Sequence, residues 1–103
     1  MTERSESCPR PAPYLVTLSG EIDVRRSAEL RAICHAFADS HEAHVLVDLA
    51  EVTFMDSTAL HLLVDLHRTA KVRGGTLTVK SPKPIVQRVL KVVAFDKIMT
   101  IVN

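Results

Sequence analysis

Aromatic residues make up only 4% of this 103-residue chain: one Tyr, three Phe and no Trp. Any core must therefore be built from Val, Leu, Ile and Ala, and little material exists for stacking on nucleic-acid bases. Charge of one sign is also missing. Thirteen basic residues face 12 acidic ones, the formal net charge is +1, and no basic stripe forms, which argues against a nucleic-acid partner. No apolar run is long enough to span a bilayer. The opening residues, Met1 to Arg10, are polar and include Glu3, Arg4 and Glu6, unlike a secretory leader. The expectation is a soluble, cytoplasmic protein without a membrane partner. Only two cysteines occur, Cys8 in the polar tail and Cys34 in an Ala-rich segment. Their spacing suits neither metal nor redox chemistry, so both read as free thiols in a reducing compartment.

What is present is a good supply of aliphatic residues. An apolar content of 47% is enough for the core of one small domain without disulfide staples. Pro9, Pro11 and Pro13, among charges and serines, predict a flexible arm over residues 1–13, leaving 14–103 as the domain. Tyr14 to Ser19 reads as a strand closed by Gly20. Ser27 to Ala38 reads as a helix, with Ala28, Leu30, Ile33, Cys34 and Phe37 on its apolar face. After a turn over Asp39 to Glu42, Val45 to Leu49 is a short apolar run suited to a buried strand.

From Asp56 to about Arg73, leucines recur at helical spacing, and Gly74-Gly75 supplies the stop. Thr76 to Lys80 alternates as a strand, Ile85 to Phe95 reads as a helix behind the Pro82 and Pro84 signals, and Ile98 to Val102 reads as a last strand. Strand and helix thus alternate along the whole chain. This predicts an α/β domain around a mostly parallel sheet of four to five strands, with three to four helices and right-handed crossovers. Recognition in such sheets gathers at the C-terminal ends of the strands. Gly20 to Ser27 and Ala50 to Ser57 are then neighbours on one edge.

The junction Phe54-Met55-Asp56-Ser57-Thr58-Ala59-Leu60 is the most informative stretch. Asp56, Ser57 and Thr58 are all helix-start residues, whose side-chain oxygens accept from the free N–H groups of a first turn. If Asp56 takes the cap, the Ser57 hydroxyl is left free beside a positive helix end that tolerates an anion. A plain N-cap is the simplest role for these residues. A hydrolase built on Ser57, His61, Asp56 and Asp65 is disfavoured, because the strained Gly-x-Ser-x-Gly turn is absent and Asp56 cannot easily orient His61. His35, His41, His44, His61 and His67 lack ligand spacing and read as solvated. Gly74-Gly75 ends a helix and is no phosphate cradle.

Leu18-Ser19-Gly20-Glu21-Ile22-Asp23, Val47-Asp48-Leu49 and then Phe54 to Leu60 resemble the STAS family, the sulfate transporter and anti-sigma factor antagonist domains. Arg73-Gly74-Gly75 and the closing Val93 to Ile98 follow the same pattern, so the resemblance spans about Tyr14 to Val102. Asp56-Ser57-Thr58-Ala59-Leu60 is its most diagnostic part, and it matches the soluble antagonists best. The resemblance implies a non-enzymatic partner switch without cofactors. Such an antagonist binds an anti-sigma factor that is also a serine kinase, and so frees a sigma factor for transcription. Phosphorylation breaks the complex and a phosphatase restores it. By position, Ser57 matches the phospho-acceptor, with Thr58 a minor alternative. Asp56, Asp23, Ser57 and Thr58 match the partner surface. The other reading is a STAS interaction or ligand-sensing scaffold that is not phosphorylated and has no sigma-factor partner. In either case the expected state is a monomer or weak dimer.

The family pattern carries a strand before Tyr14, where this chain has three prolines, and a last helix beyond the position of Asn103. Ala59 stands where Gly is commoner, and the loop after Asp23 is one residue longer than in many relatives.

Overall fold

A computed structural model describes residues 13–92 and 100–102. Among the described residues four strands form a single sheet: β1 (Tyr14–Ile22), β2 (Val45–Met55), β3 (Leu77–Lys80) and β4 (Thr100–Val102). All three pairings are parallel and the strand order is the chain order, β1-β2-β3-β4. Three helices fill the crossovers: α1 (Ser27–Ser40), α2 (Ser57–Val72) and α3 (Pro84–Val92). Because the order never reverses, right-handed crossovers carry every helix to the same side of the sheet. The register agrees with that. The row Val16, Val47, Val79 and Ile101 runs across the strands, and its first three members are buried. The adjacent row, Leu15, Leu46, Thr78 and Thr100, faces away, and Leu15 is exposed.

The core is aliphatic, as the scarcity of aromatics demands. Val16, Leu18, Val47, Leu49 and Val79 from the sheet meet Leu62, Leu63, Leu66 and Ala70 of α2 and Leu30 of α1. Among the described residues Phe37 is the one fully buried aromatic, tilted at 55° against Tyr14 with ring centroids 5.4 Å apart. Arg73 closes the lower end of the helix pair. Its guanidinium donates to the carbonyls of Phe37 (3.3 Å), Ala38 and Glu42 (2.7 Å) and lies 5.4 Å from the Phe37 ring centre. The last carbonyls of α1 thus receive the charged donor that helix C-termini favour. Gly75 sits so close to the loop before β2 that a Cβ there would lie 1.7 Å from the Ala43 carbonyl oxygen.

The alternation read from the sequence is the alternation found, with differences at the strand ends. β1 does not stop at Gly20 but continues through Ile22. Gly20, at φ +75°, bends the strand between two register shifts instead of ending it. β2 runs six residues past Leu49, so Ala50 to Met55 is strand and not loop. Its alternation is broken near Glu51, and this hides the continuation from a period-two reading. α1 extends to Ser40 and ends at His41, which takes the left-handed conformation at φ 62°. α2 matches its expected bounds, with Asp56 and Arg73 as its caps. Residues 1–12 of the arm expected over 1–13, and residues 93–99 of the last helix and strand, lie outside the described residues.

Candidate functional site

Because β1 and β2 are parallel, their C-terminal ends emerge side by side. Ile22 pairs with Met55, and the Asp56 amide donates to the Ile22 carbonyl at 3.2 Å. That bond sets Asp23 and Asp56 at the same edge and unites two segments more than 30 residues apart in sequence. Ile22 and Met55 are both buried, so the edge stands on a packed base.

Asp56 is the N-cap of α2. Its backbone is extended (φ −120°, ψ −163°), and its Oδ1 accepts from the Thr58 amide at 2.8 Å. Its carbonyl accepts from Ala59 at 3.1 Å and Leu60 at 3.3 Å. The cap therefore belongs to Asp56, and Ser57 occupies the first helical position. Ser57 is exposed, Thr58 is half-buried and Ala59 is buried. Exposure of the hydroxyl separates Ser57 from Thr58 as a surface group. No hydrogen bond joins Ser57 to His61 among the described residues.

Asp23 caps a second, tighter turn. It precedes the 3₁₀ turn Val24–Arg26, and its Oδ1 accepts from the Arg25 amide at 3.0 Å. The Arg25 guanidinium returns to the same carboxylate, with Nε 3.1 Å from each oxygen and Nη2 2.6 Å from Oδ2, and also reaches Glu21 at 3.3 Å. This side-chain pairing holds the Asp23 carboxyl below the ordinary carboxylate range, against a smaller opposing effect of desolvation. Arg26 points the other way. It pairs with Glu29 at 2.7 Å and donates to the carbonyls of Ser19 and Glu21. The longer loop after Asp23 is thus a braced turn.

The sequence reading picked out Asp23, Asp56, Ser57 and Thr58, and all four lie at this edge. It missed Arg25, whose neutralisation of Asp23 changes the local charge, and two exposed apolar side chains. Val24 is 69% exposed and Phe54 is 45% exposed. They flank Asp23 and Asp56 in sequence and give the acidic edge an apolar component, as protein-binding surfaces have. The Asp23-Val24-Arg25-Arg26 run was the available signal for the braced turn. Phe54 had none, because the shift in β2 decides which way it faces.

Among the described residues no group of three or more His, Cys, Asp or Glu side chains is placed to hold a metal ion. The His44 ring is engaged with Thr76, whose amide lies 3.2 Å from Nδ1. No helix among the described residues is long and apolar enough to cross a membrane.

A family model described as Mlab, STAS domain, matches residues 10–102. An anti-sigma F factor antagonist of Paenibacillus polymyxa is 31% identical over 88 residues, covering 84% of this chain and 75% of that protein. Among solved structures, the Thermotoga maritima protein TM1081 superposes with a TM-score of 0.78 at 23% identity, over 86% of this chain and 79% of that one. The anti-sigma factor antagonist SpoIIAA, in its unphosphorylated form, superposes with a TM-score of 0.72 at 18% identity, over 86% and 78% of the two chains. At such identities the structures speak for the fold alone. The matched span and the antagonist relative show that the chain belongs to the STAS domain family.

Proposed function

We propose that this chain is a non-enzymatic antagonist of an anti-sigma factor, switched by phosphorylation of Ser57. The observation that carries the reading is the division of labour at the start of α2: Asp56 takes the cap and leaves the Ser57 hydroxyl exposed at the first helical position. The similarity to an anti-sigma F factor antagonist supports the choice of partner. In the unphosphorylated state the edge formed by Asp23, Val24, Phe54, Asp56, Ser57 and Thr58 binds the anti-sigma factor and so frees its sigma factor. That anti-sigma factor is also the serine kinase, and a phosphatase resets the switch.

Local electrostatics explain why a phosphate would act on the complex more than on the fold. It brings about −1.5 to −2 charges and three strong acceptors. Thr58, Ala59 and Leu60 already donate their amides to Asp56, so few first-turn N–H groups are left to receive it. The Asp56 carboxylate lies next to it, while Arg25 and Arg26 are committed to Asp23, Glu21 and Glu29. In free solution water screens this dianion. In a desolvated interface it meets no prepared counter-charge, and a loss of ~2–4 kcal/mol there weakens binding about thirty- to a thousand-fold.

The test is incubation of the chain with anti-sigma kinases and ATP, followed by mapping of phosphate by mass spectrometry. Phosphate at Ser57, abolished in Ser57→Ala, is the expected result. A kinase that binds the chain tightly yet leaves Ser57 unmodified would overturn the switch and leave a scaffold that only binds.

A further inference from the structure

α1 and α2 cover the sheet with their inner faces, but on their outer faces they leave a groove of about 500 Å³ between them. It opens beside Ser27 and Thr58, next to the Ser57 edge, and runs to Ala38 and Thr69 at the far end. Six residues of each helix line it, from Ser27 to Ala38 and from Thr58 to Thr69, and those eleven steps at 1.5 Å per residue make a length of about 16 Å. An open groove between two packed helices is where the side-chain ridge of a third helix can seat.

The walls are chemically divided. Leu30 and Leu62 form an apolar floor, and both are buried. Arg31 and Arg68 stand on opposite walls, exposed, and neither makes an ion pair or hydrogen bond among the described residues. This contrasts with Arg25, Arg26 and Arg73, all of which are committed to partners. Asp65 is the one carboxylate in the lining, beside His35 and His61. Two uncommitted guanidinium groups on either side of an apolar floor are complementary to an amphipathic helix with an apolar ridge and acidic flanks.

We propose that the α1–α2 groove is a docking site for an acidic amphipathic helix of the anti-sigma factor, so that the partner contacts this groove as well as the Ser57 edge. The inference rests on the partner-switching reading and extends the interface along the helix pair. It also divides the work. The Ser57 end carries the switch, and the groove supplies binding that phosphorylation does not directly touch.

The experiment measures the affinity of the anti-sigma kinase for the wild-type chain, for the double variant Arg31→Glu/Arg68→Glu and for Arg31→Lys/Arg68→Lys, at about 0.1 M and about 0.5 M salt. Thermal unfolding checks that each variant is folded, since two unpaired exposed side chains are not needed for packing. The charge reversal is expected to weaken binding tenfold or more at low salt, with the gap narrowing at high salt and the lysine variant close to wild type. In amide NMR of the complex, Ala38 and Thr69 at the far end of the groove should shift. Wild-type affinity in the folded charge-reversed variant, with Ala38 and Thr69 unshifted, would overturn the groove while leaving the Ser57 switch standing. Failure of the wild-type chain to bind any anti-sigma kinase would overturn both.

Discussion

Removing the Asp56 side chain tests the start of α2 at the point where fold and function meet. The Asp56→Ala variant loses the 2.8 Å bond from the Thr58 amide to Oδ1 but keeps every backbone bond, including Asp56 N–H to the Ile22 carbonyl. Loss of an N-cap of this kind costs about 1 kcal/mol, within a range of roughly 0.5–2. For a domain near 100 residues this lowers Tm by about 4–8 °C per kcal/mol. Asp56→Asn retains an oxygen acceptor of nearly equal capping strength and loses only the favourable interaction of the charge with the helix dipole, about 0.3–1 kcal/mol. The asparagine variant should therefore melt closer to wild type than the alanine variant does. Calorimetry reads the Tm values, and hydrogen exchange reads the Thr58 amide, which should lose protection only in Asp56→Ala. Equal Tm losses in the two variants, with Thr58 equally protected in both, would show that Asp56 acts through its charge and refute the capping argument.

Other perturbations follow from the same contacts. Arg73→Met removes three donations to Phe37, Ala38 and Glu42 and the cation over the Phe37 ring, and should cost about 3 kcal/mol in urea unfolding. Gly75→Ala places a Cβ against the Ala43 backbone at 1.7 Å, while Gly74→Ala meets open space at φ +74°. The first should therefore unfold the domain or cost several times the ~1–2 kcal/mol left-handed penalty expected of the second, as read by thermal melts. The Asp23 carboxyl is depressed by Arg25, so its pairing contributes stability above the ordinary carboxylate value and loses it as pH falls through the lowered folded value. In NMR titration, Arg25→Gln should move the Asp23 midpoint up toward that ordinary value, whereas an unchanged midpoint would mean that the pair does not persist in solution.

The features legible in the sequence were those set by local pattern. The leucine spacing from Leu60 to Leu66 and the cap chemistry of Asp56 fixed α2 almost to the residue. The alternation of strand and helix yielded the parallel sheet, because a parallel neighbour requires a crossover. The missing parts depended on tertiary register. Ala50 and Glu51 look like a loop until β1 is laid beside them, since the hydrogen bonds that make them strand come from Ser19 and its neighbours. The same register shift turns Phe54 outward while Met55 stays buried. Asp23, Asp56 and Ser57 could be placed on one edge from topology alone. That Arg25 folds back on Asp23 depends on the 3₁₀ turn, which no periodicity announces. The groove between α1 and α2 was likewise hidden, because its shape comes from the helix packing.

The central claim concerns one hydroxyl group. Its most direct test is the affinity of the anti-sigma kinase for the chain prepared with phosphoserine at position 57, compared with the unmodified chain, by titration calorimetry under identical salt. The account predicts a loss of about thirtyfold or more, with the thermal midpoint of the free domain nearly unchanged. Equal affinity of the two forms would contradict it, as would a phosphorylated domain that no longer folds.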